Sequence, residues 1–218
     1  MTSTNQHLTE WEKMKSGTYF NPSDKSFMWP LIKSDILVRA YNRTPLYMTH
    51  LRDFIIKKLF GSIDGRPYSI FSPFQCVFGS NIHAGKNLFI NCGCWFQDYA
   101  DIIIDDDVFI GRNVSLATIK HPLLKEDHRV RVIPNSIISK SRGNYECAFP
   151  VHIQSGAMIY GNSVICPGVT VGDNSVIGAG SVVTRDIPPN VFACGVPCRV
   201  VREITDADKV DIEFKGVQ

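Results

Sequence analysis

Aliphatic residues recur at every sixth position through the second half of the chain. The longest series is Ile153, Ile159, Ile165, Val171, Ile177 and Val183, and shorter series with the same step are Ile104, Ile110 and Leu116, and Ile82 and Leu88. A step of six matches neither the 3.6-residue period of a helix nor the two-residue alternation of a simple strand. The spacing indicates short strands joined by tight turns, each sending one aliphatic side chain into a narrow core that stacked coils share.

Glycine residues accompany this series and provide for the tight turns that it requires. They stand at positions 156, 168, 172, 178 and 180, and glycine readily adopts the left-handed backbone found in abrupt turns. Six aliphatic positions in one register, with glycine between them, favour a repeat over a chance spacing in a sheet rich in valine and isoleucine. The sequence therefore predicts a mainly β fold built as a solenoid.

The residues before the repeat carry a helical pattern instead. Residues 8–15, 31–41 and 51–60 are predicted helices, and Gly61 follows the third as a stop signal. We expect these helices to form a cap over residues 1–62 at one end of the solenoid. The solenoid itself is predicted over residues 63–204, with a tail at residues 205–218.

A polar insertion at residues 117–150 interrupts the repeat and contains the pair His121-Pro122 near its start. Long insertions in compact folds are usually either functional or disordered. Because the repeat resumes at Val151, we expect an ordered excursion from a corner of the solenoid. We expect it to cover a groove beside the solenoid and to exclude water from it.

Composition and charge narrow the class of protein. The 218 residues are 44% hydrophobic and 20% charged, and the formal net charge of +2 gives no electrostatic case for binding nucleic acid. No apolar run reaches the ~18 residues of a membrane span. The polar N-terminus lacks the apolar core of a signal peptide, so we expect a cytoplasmic protein. The seven cysteines are odd in number and contain no C-x-x-C pair, which favours neither a disulfide framework nor a zinc ribbon.

Several segments spread over nearly the whole chain are similar to the sequence motifs of one known family. They are residues 12–17 (EKMKSG), 79–87 (GSNIHAGKN), 110–114 leading to His121-Pro122, 167–181 (PGVTVGDNSVIGAGS), 186–190 (DIPPN) and 195–199 (GVPCR). Together they resemble the maltose/galactoside O-acetyltransferase family of hexapeptide-repeat acyltransferases. The resemblance implies a left-handed parallel β-helix, an acetyl-CoA donor, no metal, and a homotrimer with active sites between subunits.

The resemblance implies that His121, in the His-Pro pair, is the catalytic general base. A neutral imidazole within hydrogen-bond reach takes the proton of a hydroxyl as that hydroxyl attacks a thioester. Glu146, near the end of the insertion, is a candidate for orienting the imidazole.

The acceptor side departs from the family pattern. Asn91, Asp98 and Asp24 match or lie near family residues that contact the acceptor, although each is also compatible with a structural role in a turn. Tyr99 stands where the family often has a second acidic residue, and Val77 where it usually has serine. We therefore expect a sugar or glycan acceptor at a site that includes Tyr99 and is more apolar or aromatic than usual.

The donor side follows the family more closely. The resemblance assigns the oxyanion to the backbone N–H of Gly161, and the pantetheine arm to a groove of small residues around Gly161 and Ala179. Arginine suits phosphate because its planar guanidinium offers a fork of donors. The residues that match the phosphate-binding positions are Thr184, Arg185, Arg199 and Arg202, for which a solvated basic tail is the alternative.

Three other functions remain open on the sequence. A xenobiotic acetyltransferase of the streptogramin or chloramphenicol type would share the fold, the base and the donor. A metal hydratase like the γ-class carbonic anhydrases would need three histidines around an open-coordinate metal, and the spacings of His83, His121, His128 and His152 do not resemble that family's. A non-catalytic scaffold trimer would need neither His121 nor the arginines.

Overall fold

A computed structural model describes residues 8–65, 67–127 and 145–210, together with the backbone of residues 131–132 and 142–143. The helices are α1 (Glu10–Lys15), α2 (Met28–Arg43) and α3 (Thr49–Leu59), with short 3-10 turns at Lys25–Phe27 and Asp206–Asp208. In the described part of the chain, no helix combines the length and the apolar character that a membrane crossing requires. Residues 1–7, much of the predicted insertion including His128, and residues 211–218 of the predicted tail lie outside the described residues.

The rest of the chain consists of short strands. In chain order they are β1 (Ser62–Ile63), β2 (Tyr68–Ile70), β3 (Phe74–Cys76), β4 (Ile82–Ala84), β5 (Leu88–Ile90), β6 (Cys94–Gln97), β7 (Ile102–Ile104), β8 (Phe109–Ile110), β9 (Ser115–Ala117), β10 (Ile119–Lys120), β11 (Arg131–Val132), β12 (Arg142–Gly143), β13 (Cys147–Ala148), β14 (Val151–Ile153), β15 (Met158–Ile159), β16 (Val164–Ile165), β17 (Thr170–Val171), β18 (Val176–Ile177), β19 (Val182–Val183), β20 (Val191–Gly195) and β21 (Cys198–Glu203).

These strands stack into a three-sided prism of about six turns. The first face contains β1, β4, β7, β14 and β17, the second β2, β5, β8, β15, β18, β20 and β21, and the third β3, β6, β9, β16 and β19. Each turn visits the faces in that order, and pairing between turns is parallel throughout, except that β21 runs antiparallel to β20. We call the corner between the second and third faces edge A, and the corner between the third and first faces edge B.

The six-residue series forms the core of the prism, as predicted. Its six members from Ile153 to Val183 are all fully buried, and each stands in register with the inward residue of the neighbouring turn, as Ile110 does with Ile159 and Ile177. Burying one such side chain contributes roughly 1.5–3 kcal/mol. Because every turn adds inward side chains to the columns of all three faces, the core is continuous along the prism.

Asparagine and aspartate, as well as glycine, form the sharp turns. Six of them have φ between 54° and 61°, the left-handed region in which short polar side chains are tolerated. They are Asn87, Asp107, Asn113, Asn162, Asn174 and Asn190. Several bond to one another between turns, as when Asn113 Nδ2 donates to Asn162 Oδ1 over 3.1 Å. The sequence pattern identified only the glycine turns.

Helices α2 and α3 close the first turn of the prism, as the predicted cap requires. Ile55, Ile56 and Leu59 of α3 join the central core. The buried Arg52 connects the two helices to the prism, because its guanidinium lies over the Tyr41 ring at 3.9 Å and donates to the carbonyls of Tyr41, Thr44 and Ile70.

Residues 8–27 lie along edge B, and not at the end of the prism where the whole cap was expected. Met14, Phe20 and Phe27 are buried in a second cluster with Phe78, Ala100, Ile119 and Ala148. A backbone bridge fixes this segment: Phe20 N donates to Glu146 O over 2.8 Å, and Glu146 N donates to Phe20 O over 3.1 Å. The segment therefore supports the start and the end of the insertion.

The insertion leaves and rejoins the prism at edge B, after β9 and before β14. Its two ends pair antiparallel as β10 and β13, with Ile119 opposite Ala148 and Lys120 opposite Cys147. Further out, β11 pairs antiparallel with β12. The predicted excursion from a corner is present, and its base is a short two-stranded ladder.

Candidate active site

The pairing of β10 with β13 brings His121 and Glu146 together. Because Lys120 stands opposite Cys147, His121, which follows β10, and Glu146, which precedes β13, also face each other. The distance from His121 Nδ1 to Glu146 Oε1 is 3.9 Å, and 54% of the His121 side chain is exposed. The imidazole thus has a carboxylate on one side and open space on the other.

Glu146 holds its carboxylate in a mostly buried position below the imidazole. Burial raises the pKa of Glu146 to about 7, because a carboxylate loses hydration when it is removed from water. Its Oε2 is buried without a hydrogen-bond partner among the described residues. The backbone bridge to Phe20 prevents the residue from moving outward. A carboxyl group that titrates near neutrality therefore lies beside an exposed imidazole.

Aromatic residues surround this pair. The Tyr99 ring packs against Phe20 at 5.9 Å and against Phe78 at 5.3 Å between centroids. Burial, with the charges of Glu146 and Asp98, raises the pKa of Tyr99 to about 12, so its hydroxyl stays protonated. The predicted site residue Tyr99 therefore lies near the candidate base. A cavity of about 290 Å³ opens beside His121 and is lined by Tyr19, Pro122, Asp127 and Tyr145.

Asp98 does not face this cavity, contrary to the expectation of a direct acceptor contact. Its side chain is fully buried, and its Oδ1 accepts from Val77 N at 2.8 Å and Phe78 N at 3.0 Å. Its Oδ2 has no hydrogen-bond partner among the described residues. Burial raises the pKa of Asp98 to about 7, although the two backbone N–H groups oppose the shift. The contacts give Asp98 the role of holding the turn before β4.

Asp24 also makes a local contact. Its Oδ1 accepts from Ser26 N over 2.8 Å and begins the 3-10 turn Lys25–Phe27. Asp24 is half-buried in the N-terminal segment, residues 8–27, which lies along edge B. The structure therefore places Asp24 in the same region as the candidate base, with its carboxylate engaged in a cap.

Edge A carries three other predicted site residues, Asn91, Gly161 and Ala179. Asn91, Gly111 and Tyr160 stack there in successive turns, since Asn91 N donates to Ile110 O and Gly111 N to Ile159 O. Gly161 and Ala179 occupy the next position of the same edge, and Gly180 N donates to Gly161 O over 3.0 Å. Within the described part of the chain, the backbone N–H of Gly161 donates no hydrogen bond. Edge A therefore presents small residues and an available backbone donor.

The basic residues are divided between the two edges. Thr184 and Arg185 are exposed after β19, at edge B. Arg199 stands opposite Cys194 on β21, near the last turn of edge A. Arg202 donates two hydrogen bonds to Asp208, at 2.7 and 2.6 Å, which lower the pKa of Asp208 to about 2. A phosphate that binds the Arg202 fork must therefore compete with Asp208.

The arrangement separates the predicted residues into two groups on opposite edges of the third face. Tyr99, His121 and Glu146 are together at edge B, whereas Asn91, Gly161 and Ala179 are together at edge A. Sequence reasoning missed Phe20, Tyr19 and Tyr145 at edge B. No local signal marks them, because Phe20 reads as an ordinary core residue and the two tyrosines as surface residues.

The remaining histidines on the prism have carboxylate neighbours. His152 Nε2 lies 2.9 Å from Asp105 Oδ2, and His83 Nε2 lies 3.7 Å from Asp101 Oδ1. Among the residues that the structure describes, no three histidine, cysteine, aspartate or glutamate side chains are grouped as metal ligands would be.

Comparison with known proteins gives consistent matches. The signature described as bacterial transferase hexapeptide (six repeats) matches residues 150–185. The galactoside O-acetyltransferase of Escherichia coli (strain K12) is 37% identical over 198 residues, which cover 91% of each chain. A maltose O-acetyltransferase structure from Clostridium difficile 630 has a TM-score of 0.81 and 37% identity, covering 91% of this chain and 99% of that chain. A galactoside acetyltransferase in complex with coenzyme A has a TM-score of 0.81 and 33% identity, covering 97% and 100%. These matches confirm the predicted left-handed parallel β-helix.

The burial of Asp98 makes stability depend on pH. Its pKa of about 7 lies above the ordinary 3.8, so the folded chain binds this proton more tightly than the unfolded chain does. The stabilisation that comes from the protonated Asp98 carboxyl is fully present below about pH 4 and is lost as the pH rises through 7. We expect Asp98→Asn, which cannot ionise, to gain stability relative to the wild type over this range.

Urea denaturation at pH 4, 5, 6 and 7 measures the difference. The same measurement is made on Glu146→Gln, because the Glu146 carboxyl of the wild type titrates in the same pH range. A difference between wild type and Asp98→Asn that stays constant with pH would contradict the assignment.

Proposed function

This chain belongs to the galactoside and maltose O-acetyltransferase family of hexapeptide-repeat transferases, and on that premise we propose that it moves an acetyl group from acetyl-CoA to a hydroxyl of a sugar or glycan. The family makes it an acetyl-CoA-dependent acyltransferase. The observation that carries the proposal is the pair at edge B, in which the exposed imidazole of His121 lies against the mostly buried carboxylate of Glu146.

His121 acts as the general base in this proposal. With Nδ1 toward Glu146, Nε2 is directed to the acceptor side, where it takes the proton of the attacking hydroxyl. A sugar hydroxyl is a poor nucleophile at neutral pH, so removal of its proton during attack lowers the barrier. When the leaving thiolate departs, the protonated imidazole returns the proton to its sulfur.

Glu146 is a positioning residue for this step. Its ionised carboxylate holds the imidazole through Nδ1 and stabilises the positive charge that His121 gains, in the way that a buried carboxylate orients a catalytic histidine elsewhere. The bridge between Phe20 and Glu146 keeps the carboxylate in place. The pKa of about 7 means that the ionised form increases as the pH rises through neutrality.

Edge A supplies a surface that fits acetyl-CoA. The free amide of Gly161 is a donor for the oxygen on which negative charge develops during acyl transfer. The half-buried Gly161 and the exposed Ala179 are small residues that leave room for the pantetheine arm to approach the backbone. Arg199 and Arg202 stand nearby on β21, and Arg185 at edge B, as donors for phosphate oxygens.

We propose a homotrimer in which edge A of one chain faces edge B of its neighbour. In one chain the base and the oxyanion donor lie on opposite edges of the third face, so a second copy is needed to complete the site. Helix α2 supports assembly, because it exposes Met28, Trp29, Ile32 and Ile36 along its surface, an apolar stripe of the kind that marks interaction surfaces. The expected assembly has three times the chain mass of 24.4 kDa.

A xenobiotic acetyltransferase is the second candidate. The tyrosines that line the cavity beside His121, Tyr19 and Tyr145, favour acceptors with an apolar or aromatic part. The base and the donor would be the same. A panel of sugars, aryl glycosides, chloramphenicol and a streptogramin, assayed by release of free CoA, separates the two functions.

Replacing His121 by alanine should abolish most of the turnover. Loss of a general base typically lowers the rate by about 10²- to 10⁴-fold. We expect His121→Ala to bind acetyl-CoA and to assemble as the wild type does, which calorimetry and light scattering measure. A turnover within a few-fold of the wild type would remove His121 from the mechanism.

The variant Glu146→Gln should lower kcat roughly tenfold and leave the KM for acetyl-CoA unchanged. Glutamine keeps the size of the side chain and removes the charge that orients the imidazole. The wild-type rate should contain a rise near pH 7 that follows ionisation of Glu146, and this rise should be absent in the variant. An unaltered pH–rate profile would show that Glu146 has only a structural role.

Alanine at Arg199 or Arg202 should raise the KM for acetyl-CoA by about five- to tenfold, a modest effect because both side chains are exposed. The KM for the acceptor should stay nearly the same. Arg43→Ala, at the end of α2, is the matched control and should change neither constant. A change confined to the acceptor KM would place β21 on the other side of the reaction.

A further inference from the structure

One arginine, Arg112, projects from edge A beside the proposed oxyanion donor. Because Ile110 pairs with Ile159, Arg112 and Gly161 occupy the same corner position in adjacent turns. A Cβ added to Gly161 would lie 3.0 Å from the carbonyl oxygen of Arg112, so the two backbones are in close contact. Adjacent turns are separated by about 4.8 Å. The long Arg112 side chain therefore begins one turn away from the N–H that is proposed to bind the oxyanion.

The corner that carries Arg112 is held on both sides. The carbonyl oxygen of Arg112 accepts from Asn162 N over 2.8 Å, and Asn113 N donates to Cys92 O over 3.0 Å. The side chains of Asn113 and Asn162 are bonded to each other over 3.1 Å. The backbone of Arg112 is thus fixed by the neighbouring turns, and its side chain alone is free to adjust to a ligand.

The charge of Arg112 is not neutralised on its own chain. Its side chain is exposed and forms no hydrogen bond or ion pair with any residue that the structure describes. Arg39 and Arg202, in contrast, pair with carboxylates of the same chain. The corner positions of edge A around Arg112 include no acidic residue; they are Asn91, Cys92, Gly111, Tyr160, Gly161, Gly178, Ala179 and Cys194. Edge A therefore offers an unpaired guanidinium beside the proposed donor site.

The charges on edge B give the proposed site a direction. Asp127 lines the cavity beside His121, and the Lys120 ammonium lies over the Phe149 ring at 4.5 Å from its centroid. In the proposed trimer, Arg112 approaches this cavity from the edge of the neighbouring chain. An anionic group of the acceptor is then repelled by Asp127 and attracted to Arg112. The planar fork of a guanidinium binds carboxylate and phosphate groups through two parallel hydrogen bonds.

We propose that Arg112 is a specificity-determining residue that binds an anionic group of the acceptor, so that the enzyme prefers a sugar acid to the corresponding neutral sugar. Because Arg112 and Gly161 are in adjacent turns, the anionic group belongs to the same sugar unit as the hydroxyl that receives the acetyl group. Arg112 binds the acceptor and takes no part in proton transfer. The inference rests on the proposed sugar O-acetylation and adds the charge of the acceptor to it.

The test compares neutral and acidic acceptors that share one ring. Methyl β-galactoside is paired with methyl β-galacturonide, and methyl α-glucoside with methyl α-glucuronide, and CoA release is measured for the assembled full-length enzyme. We expect the wild type to have a kcat/KM about tenfold higher for the acidic member of a pair. Concentrated salt should reduce this preference, because exposed charges are screened. Galactose 6-phosphate, assayed beside the galacturonide, shows whether the preferred anion is a phosphate ester or a carboxylate.

Three variants make the test specific. Arg112→Gln should remove the preference by raising the KM for the acidic sugar, and should leave the neutral sugar and the KM for acetyl-CoA within about twofold of the wild type. Arg112→Lys keeps the charge without the planar fork and should retain part of the preference. Arg43→Gln, at the exposed last residue of α2, is the matched control and should behave as the wild type.

The outcomes separate this inference from the proposed function. A wild-type enzyme that acetylates neutral sugars with no preference for the acidic member of either pair overturns the anion site and leaves the proposed function standing. The same holds if Arg112→Gln slows neutral and acidic acceptors equally, since Arg112 would then act on the reaction common to both. A wild-type enzyme that releases CoA with none of the sugars overturns both proposals. A change in the assembly mass of Arg112→Gln by light scattering would show that Arg112 pairs with a neighbouring subunit, which also overturns the anion site.

Discussion

The narrow cross-section of the prism constrains everything else in this molecule. A turn of three short strands encloses room for only one or two inward side chains on each face, and its backbone must hydrogen-bond to the turns on both sides. The inward positions are therefore aliphatic and evenly spaced, and a shift of one residue would turn a core side chain toward solvent. This is why Ile110, Ile159 and Ile177 stand in one column, and why the corners need residues that accept a left-handed backbone.

That register also determines where the candidate site residues lie. The repeat alone brings Asn91, Gly161 and Ala179 to edge A and Tyr99 to edge B, because consecutive turns repeat the same corners. His121 and Glu146 lie outside the repeat, in the insertion. Their positions depend on the β10–β13 ladder and on the bridge between Phe20 and Glu146, so the N-terminal segment contributes to the candidate site by holding the residue that carries the carboxylate.

The sequence predicts the fold well because its signal is periodic. The aliphatic series marked the inward positions, the predicted helix at residues 31–41 lies within α2, and the one at residues 51–60 overlaps α3 and runs one residue past its end. The location of residues 8–27 along edge B could not be predicted, since Met14, Phe20 and Phe27 show only that the segment is apolar, not which surface it covers. Asp98 shows a similar limit for the site. An aspartate beside a predicted turn reads the same whether its carboxylate faces a ligand or accepts from buried backbone N–H groups, and only the burial distinguishes the two.

The final strand has a consequence for the ends of the prism. A stack of parallel turns could in principle be extended by another molecule, because its outermost strands retain unpaired backbone groups that invite edge-to-edge polymerisation. At one end, α2 and α3 cover the first turn. At the other, β21 reverses direction against β20 and directs Arg199, Arg202 and Glu203 outward. A further turn cannot continue the parallel pairing of the second face beyond this antiparallel, charged strand, so the same segment that carries the arginines proposed to bind phosphate also opposes growth into fibres along that face.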